Sequence, residues 1–207
     1  MDIHVAADFV CPWCYIGKRQ LENALQEKPG VGVSVRHLPF ELNPSMPPEG
    51  MDRNAYLLAR FGTIDRSGAE TALKEAAKAS GLTFDFTRIR RVPNTMAAHR
   101  LMRLAPTPDE ENRLAESIFR AYFVEGQDIG DTATLLSLAA AENIEARHYL
   151  LSEEGTAEVR HEEAMLRDIG ISGVPFTIID RKFTVSGAAG SKAFRDAIDR
   201  AAAMPTA

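Results

Sequence analysis

The chain has 207 residues, 45% of them hydrophobic, and can therefore bury one large core or two small ones. Its formal net charge of −5 at pH 7 provides no general attraction to nucleic acid or anionic lipid, because both bind basic surfaces. The start at Met1-Asp2 lacks the cations of a secretory signal, and no apolar run reaches the ~20 residues of a membrane span, so we expect a cytoplasmic protein with no nucleic-acid or membrane partner.

The first elements are a predicted strand and helix. Apolar residues alternate from Ile3 to Ala7, the two-residue period of a strand with one buried face. From Pro12 the period becomes helical, and Lys18 falls outside the apolar stripe. The helix is predicted to stop at Lys28-Pro29-Gly30, where a cation precedes two helix breakers.

A second strand is predicted to follow directly. Val31, Val33 and Val35 alternate with other residues, and the pattern ends by about Pro39. A strand, a helix and a second strand in this order form a βαβ unit, which is expected to be right-handed with parallel strands.

The middle of the chain predicts helices only. After the proline-rich residues 43–48, no convincing strand occurs until about residue 175. Helical patterns recur at 56–61, 70–80, 95–104, 109–123 and 132–141. Asp131 is the predicted N-cap of the last of these.

The C-terminal part predicts a helix, a hairpin and a final helix. The first helix covers residues 156–169, the hairpin strands cover 176–180 and 182–186, and Ser191 is predicted to cap the last helix. Residues 1–42 and 156–207 together have the element order of a thioredoxin-type domain and a usual domain size of ~100 residues. We therefore predict an α/β protein, in which a discontinuous thioredoxin-like domain is interrupted by an all-helical domain at residues 43–155.

The two cysteines, Cys11 and Cys14, predict redox chemistry. They are three positions apart, so a disulfide between them cannot link distant parts of the chain, and a framework of structural disulfides is excluded. A thiol attacks a disulfide as the thiolate, and unpaired amides with the dipole at a helix start stabilise negative charge. Pro12 suits the first helical position, and Trp13 is expected to lie beside the thiol as an apolar surface. We predict Cys11 as the nucleophile and Cys14, one turn into the helix, as the resolving thiol.

The alternatives for this pair are inert cysteines or zinc ligands. Zinc needs about four ligands, usually from two paired motifs. The sequence offers one pair, and its histidines show no ligand spacing; they are at positions 4, 37, 99, 148 and 161. We expect no metal site.

A second signal is Gly173-Val174-Pro175, directly before the hairpin. In thioredoxin-like proteins a cis-proline at this position faces the active-site disulfide, and the residue before it presents backbone groups to an incoming chain. Cis bonds occur at about one in twenty X-Pro sites, so the expectation that Val174-Pro175 is cis rests on topology. The alternative is a trans proline that begins an edge strand.

Six sequence blocks, in order along nearly the whole chain, resemble the FrnE-like branch of the DsbA family. They are Cys11-Pro12-Trp13-Cys14-Tyr15-Ile16-Gly17-Lys18, Phe40-Glu41-Leu42-Asn43-Pro44, Asn94-Thr95 with Ala98-His99-Arg100, Phe119-Arg120-Ala121-Tyr122-Phe123, Asp128-Ile129-Gly130-Asp131 and Gly173-Val174-Pro175-Phe176. The resemblance implies a thioredoxin fold interrupted by an all-helical domain, with the disulfide in the groove between them. It also implies kinship with kappa-class glutathione transferases and 2-hydroxychromene-2-carboxylate isomerases, which place a serine at the position of Cys11.

Three further residues are candidates for the groove. Phe40 is predicted to form an apolar wall, with a place in the core as the alternative. Asn94 is predicted to contact substrate or to cap a helix. His99 is predicted to line the groove from the helical side, with a structural role as the alternative.

Together these observations predict a thiol–disulfide oxidoreductase that cycles its CxxC pair through a mixed disulfide with protein or small-molecule thiols. A glutathione-dependent isomerase or transferase of the 2-hydroxychromene-2-carboxylate isomerase type is the alternative, and a chaperone-like module is a third hypothesis. We expect no permanently bound cofactor, with glutathione as a redox partner or co-substrate. A homodimer is compatible with the sequence.

Overall fold

The computed structural model describes residues 1–28 and 32–204. Its strands are β1 (Asp2–Ala7), β2 (Ser34–Pro39), β3 (Met51–Asp52), β4 (Arg91–Val92), β5 (Phe176–Ile179) and β6 (Phe183–Ser186). Its helices are α1 (Pro12–Gln26), α2 (Arg53–Phe61), α3 (Ser67–Ala79), α4 (Met96–Met102), α5 (Pro108–Phe123), α6 (Thr132–Ala141), α7 (Arg147–Leu150), α8 (Thr156–Asp168) and α9 (Ser191–Ala202). Within the described ranges, no helix is both long and apolar enough to cross a bilayer.

The main sheet has the strand order β2-β1-β5-β6. Strands β1 and β2 are parallel, with Ile3 opposite Val35, and α1 connects them as the predicted βαβ unit. Strand β5 runs antiparallel to β1, and β6 runs antiparallel to β5. Helices α1 and α9 pack against each other, while α5 and α8 contact β2. The carboxyl end of the central strand β1 therefore leads directly into the Cys11 turn and α1.

The ends of several elements differ from the sequence predictions. Strand β2 begins at Ser34, so Val33 precedes it, and the predicted positions of Pro29, Gly30 and Val31 lie outside the described residues. Asp131 is confirmed as the N-cap of α6, because its side chain accepts a hydrogen bond from the Thr134 amide. The prediction that Ser191 caps α9 is wrong: Gly190 is the N-cap and Ser191 is the first helical residue.

The helical segment contains one feature that the sequence did not predict. Strands β3 and β4 form a two-stranded antiparallel pair, in which Met51 lies opposite Val92 and Asp52 opposite Arg91. The expectation of no strand before about residue 175 is therefore wrong. Two-residue strands are too short to show an alternating pattern, and their partners lie about forty residues apart in the chain. The short helix α7 was also not predicted.

A continuous hydrophobic core joins the sheet to the helical segment. Tyr15 of α1 stacks on Phe119 of α5, with ring centroids 5.1 Å apart and an interplanar angle of 6°. Phe123 and Phe84 extend this aromatic stack, with their centroids 5.1 Å apart. The helix that carries the cysteines is thus packed directly on the helical segment, and the proposed division of the chain into two domains stays a prediction.

Candidate active site

Cys11 is the N-cap residue of α1. Its backbone is extended, with φ −92° and ψ 109°, and Pro12 occupies the first turn. The Cys11 amide donates to the Asp8 carbonyl at 3.1 Å, and the Cys14 amide donates to the Cys11 carbonyl at 3.0 Å. No side chain among the described residues caps this helix. The amides of the first turn therefore remain available to stabilise a thiolate at Cys11.

Cys14 is the more deeply buried of the two free thiols. Its exposed fraction is 1%, against 4% for Cys11. The Asp8 amide lies 3.5 Å from the Cys14 sulfur and donates to it. Burial, together with the hydrogen bond and negative charge of Cys11, raises the pKa of the Cys14 thiol well above its ordinary value. Cys14 is therefore protonated at neutral pH and must lose a proton before it can attack a disulfide.

The loop before β5 brings its backbone to the same place. The Val174-Pro175 peptide bond is cis. The Cys11 thiol donates to the Val174 carbonyl oxygen at a sulfur–oxygen distance of 3.8 Å, although the two residues are 163 positions apart. Gly17 of α1 permits this approach, because a Cβ atom at Gly17 would lie 3.1 Å from Pro175 Cγ. A polar backbone surface thus lies beside the Cys11 sulfur.

Replacing Gly17 with alanine is expected to displace Pro175 by a few tenths of an ångström and to lower the rate of thiol–disulfide exchange by about 3- to 10-fold. The free energy of unfolding is expected to change little, because the higher helix propensity of alanine relative to glycine offsets the strain of the close contact with Pro175. Dithiol oxidation rates and thermal unfolding would measure both effects. Gly68→Ala is the matched control, because Gly68 is also helical and a Cβ atom there meets nothing within 4 Å. Equal rates for the two variants would contradict the prediction.

A cavity of about 290 Å³ lies between the turn at residues 11–14 and the helical segment. Pro12 and Trp13 line one side, and Leu57 and Phe61 of α2 line the other. The Trp13 side chain is 41% exposed, which is unusual for a large aromatic residue and leaves an apolar surface next to the thiol. We call this space the Trp13 cavity.

The other predicted groove residues lie elsewhere. Phe40 is buried in a small cluster with Ala6 and Leu166. Asn94 accepts a hydrogen bond from the Met96 amide at 2.9 Å and lines a separate polar cavity of about 520 Å³. His99 is buried and lies behind the cysteines, with its Nε2 atom 3.6 Å from Asp8 Oδ1. The structure therefore brings together Cys11, Cys14, Pro12, Trp13, Val174 and Pro175, but not these three.

Sequence reasoning missed Asp8. This residue is fully buried, and its carboxylate accepts a hydrogen bond from the Leu42 amide at 2.7 Å. Its backbone contacts both Cys11 and Cys14. The available signal was its position at the carboxyl end of a buried strand, three residues before the CxxC pair, where sites in α/β sheets usually lie.

Residues 1–28 and 32–204 contain no group of three or more His, Cys, Asp or Glu side chains arranged to hold a metal ion. The carboxylate of Asp8, whose backbone contacts both cysteines, accepts a hydrogen bond from the Leu42 amide. The site as described consists of two thiols, a buried carboxylate and backbone groups.

Comparisons with known proteins identify the family and the fold of the chain. Residues 2–199 match the family described as the DSBA-like thioredoxin domain. The crystal structure of the probable DsbA oxidoreductase SCO1869 from Streptomyces coelicolor is 31% identical, with a TM-score of 0.90 over 100% of this chain and 92% of that chain. The fold is shared with a 2-hydroxychromene-2-carboxylate isomerase, which has a TM-score of 0.73 and 15% identity over 97% of this chain and 95% of that chain. It is also shared with the cytosolic disulfide reductase DsbM from Pseudomonas aeruginosa with GSH, which has a TM-score of 0.68 and 19% identity over 99% of this chain and 100% of that chain. The predicted α/β, thioredoxin-like fold is confirmed.

Proposed function

The chain belongs to the DSBA-like thioredoxin-domain family of thiol–disulfide oxidoreductases, and from that premise we propose that Cys11 and Cys14 are its redox pair. One observation carries the proposal: Cys11 is the N-cap of α1, where unpaired amides favour a thiolate, while Cys14 is buried one turn further on. The resemblance to the DsbA family that the sequence predicted is confirmed.

The proposed reaction has two exchange steps. The Cys11 thiolate attacks a substrate disulfide, forms a Cys11–substrate bond and releases one substrate sulfur as thiolate. The Cys14 sulfur, after losing its proton, attacks the Cys11 sulfur, so that the intramolecular disulfide forms and the second substrate sulfur leaves. The pair gives up two electrons and the substrate gains them. The reverse sequence oxidises a substrate dithiol.

The surroundings of Cys11 favour a substrate chain with an apolar side chain near its cysteine. The Val174 carbonyl lies 3.8 Å from the Cys11 sulfur, and the Trp13 cavity opens beside the same turn. The Val174 carbonyl would orient the backbone of a substrate chain, and the Trp13 cavity would bury an apolar side chain of that substrate. The same carbonyl would accept a hydrogen bond from a small-molecule thiol substrate. Because the similar DsbM structure is described as cytosolic and with GSH, we propose a cytosolic setting and glutathione as a redox partner that is not permanently bound.

Cys14→Ala is the variant that tests this proposal. The Cys11 mixed disulfide should accumulate, because the thiol that resolves it is missing. We expect a covalent adduct with a disulfide substrate such as insulin or oxidised glutathione, seen as an added mass under non-reducing conditions and lost with dithiothreitol. The double variant Cys11→Ser/Cys14→Ala is the control and should form none. An adduct-free Cys14→Ala protein would reject the redox pair.

A glutathione-dependent isomerase is the second candidate, favoured by the shared fold with a 2-hydroxychromene-2-carboxylate isomerase. This reaction needs no second cysteine. Turnover of 2-hydroxychromene-2-carboxylate by Cys14→Ala at the wild-type rate, together with tight glutathione binding by calorimetry, would support it. Absence of glutathione binding would remove it.

A further inference from the structure

The polar cavity of about 520 Å³ beside Asn94 is separate from the redox site, and we call it the Glu41 cavity. Its volume is typical of small-molecule sites, which occupy about 300–1,000 Å³. Among the described residues, it shares no lining residue with the Trp13 cavity. Its charged lining residues comprise three carboxylates and three guanidinium groups, which belong to Glu41, Glu153, Glu163, Arg100, Arg160 and Arg167.

Glu41 brings a buried carboxylate to this cavity, and its exposed fraction is 4%. The Glu41 amide donates to Glu163 Oε1 at 3.0 Å, and its carbonyl oxygen accepts from Arg167 Nη2 at 2.9 Å, so α8 holds its backbone in place. Within the described part of the chain, the Glu41 carboxylate itself makes no hydrogen bond or ion pair. A buried carboxylate without a partner is costly, so a ligand that brings positive charge and hydrogen-bond donors would stabilise it.

The surrounding charges do not compensate the Glu41 carboxylate. Burial raises the pKa of this carboxyl above its ordinary value. His99 and Arg160 oppose the rise in pKa, but Glu163 and Asp8 add to it. A cationic group bound in the cavity would therefore favour the charged form of Glu41.

The positive groups of the cavity come from α4 and α8. Arg100 of α4 is buried, and its guanidinium donates at 2.6–2.7 Å to three carbonyl oxygens, those of Tyr149, Ser152 and Glu154. Neither Arg100 nor Arg160 forms an ion pair at salt-bridge distance in residues 1–28 and 32–204, although the charge of Arg160 acts on Glu41. Helix α8 begins at Thr156, which lines the same cavity, and no described side chain caps this helix. Two guanidinium groups and an uncapped helix start favour a carboxylate.

We propose that the Glu41 cavity binds a small zwitterion with the head group of an α-amino acid. The ammonium group of this ligand binds Glu41, and its carboxylate binds Arg100, Arg160 and the start of α8. Both charges of such a head group are attached to one carbon atom, which suits the neighbouring charges of Glu41 and Arg160. Because the lining has as many carboxylates as guanidinium groups, a zwitterion leaves the cavity neutral, whereas a simple anion or cation leaves one sign in excess. The proposal does not depend on the redox pair.

The test compares three probes by NMR titration of the isotope-labelled protein at pH 7. L-serine carries both charges, N-acetyl-L-serine lacks the ammonium group, and L-serinamide lacks the carboxylate. L-serine should bind at least about 10-fold more tightly than either of the others and should shift the amides at the start of α8. The double variant Cys11→Ser/Cys14→Ala should bind L-serine as the wild type does, because no cysteine lines the cavity. No binding of L-serine at about 10 mM, or equal binding of a singly charged probe, would overturn the proposal.

Two variants assign the charges. Glu41→Gln should weaken L-serine binding about 10- to 100-fold without weakening the binding of N-acetyl-L-serine, which has no ammonium group to lose. Arg160→Gln should weaken both of these probes, and because Arg160 is exposed, this variant decides alone should Glu41→Gln not fold.

Glu162→Gln is the matched control. Glu162 is also a carboxylate of α8, but it pairs with Arg103 at 2.6 Å and is not a lining residue of the Glu41 cavity. This variant should bind L-serine with wild-type affinity. Unchanged affinity in Arg160→Gln, or an equal loss in Glu162→Gln, would contradict the assignment.

Discussion

Cys11→Ser is expected to lose thiol–disulfide exchange, with the rate falling on the order of 10³-fold or more. A serine hydroxyl is almost fully protonated at neutral pH and cannot form the mixed disulfide. The fold should persist, because Cys11 supports its turn through backbone bonds to Asp8 and Cys14 that serine retains. Insulin reduction measures the loss, and thermal unfolding verifies that the variant is folded.

This variant also separates the two candidate functions. Cys14→Ser serves as its matched control, because it removes the other sulfur with the same atom-for-atom change. The redox proposal expects a Cys11 adduct with Cys14→Ser and none with Cys11→Ser. Full insulin-reducing activity in Cys11→Ser would reject the assignment of Cys11. A gain of isomerase turnover in Cys11→Ser would favour the glutathione-dependent isomerase over redox chemistry.

The elements that were predicted correctly are those that depend on residues close together in the sequence. Strand β1 and helix α1 are visible because the apolar period changes from two residues to a helical stripe at Pro12. Asp131 was recognised as a cap because capping needs only residues three positions apart. The position of Cys11 at the start of α1 followed from the same local signals. The turn that we propose as the redox site was therefore predictable from about fifteen residues.

The features that escaped prediction depend on contacts between distant parts of the chain. Asp8, which follows β1, and His99 of α4 come within 3.6 Å of each other only in the folded chain, and neither has a spacing that marks it. Phe40 and Asn94 belong to the sequence blocks that resemble the DsbA family and were predicted to line the groove, but a resemblance does not fix the direction of a side chain. Lys18 was predicted outside the buried stripe, yet it is buried, because Glu22 and Glu116 neutralise it.

Glu116→Ala is expected to lower the free energy of unfolding by about 2–3 kcal/mol. The Glu116 carboxylate accepts hydrogen bonds from three residues of α1: Tyr15 at 2.6 Å, Arg19 at 2.6 Å and Lys18 at 3.1 Å. It therefore joins α5 to the helix that carries the cysteines. The variant leaves the buried Lys18 ammonium with Glu22 as its remaining ion-pair partner among the described residues. Urea unfolding at pH 7 measures the difference.

The pH dependence gives this prediction a second test. Burial by itself would raise the pKa of Glu116, but the charge of Lys18, the Tyr15 hydrogen bond and the charge of Arg19 outweigh it and lower the pKa below its usual value. Because the folded pKa is below the unfolded one, the stabilisation is complete above about pH 5 and is lost as pH falls through the folded pKa. The curves of wild type and Glu116→Ala should therefore converge in acid. Asp196→Asn, which breaks the exposed Lys192–Asp196 pair, should leave stability at pH 7 unchanged. A difference between Glu116→Ala and wild type that persisted undiminished at pH 3 would mean that packing, not the ion pairs, attaches α1 to α5.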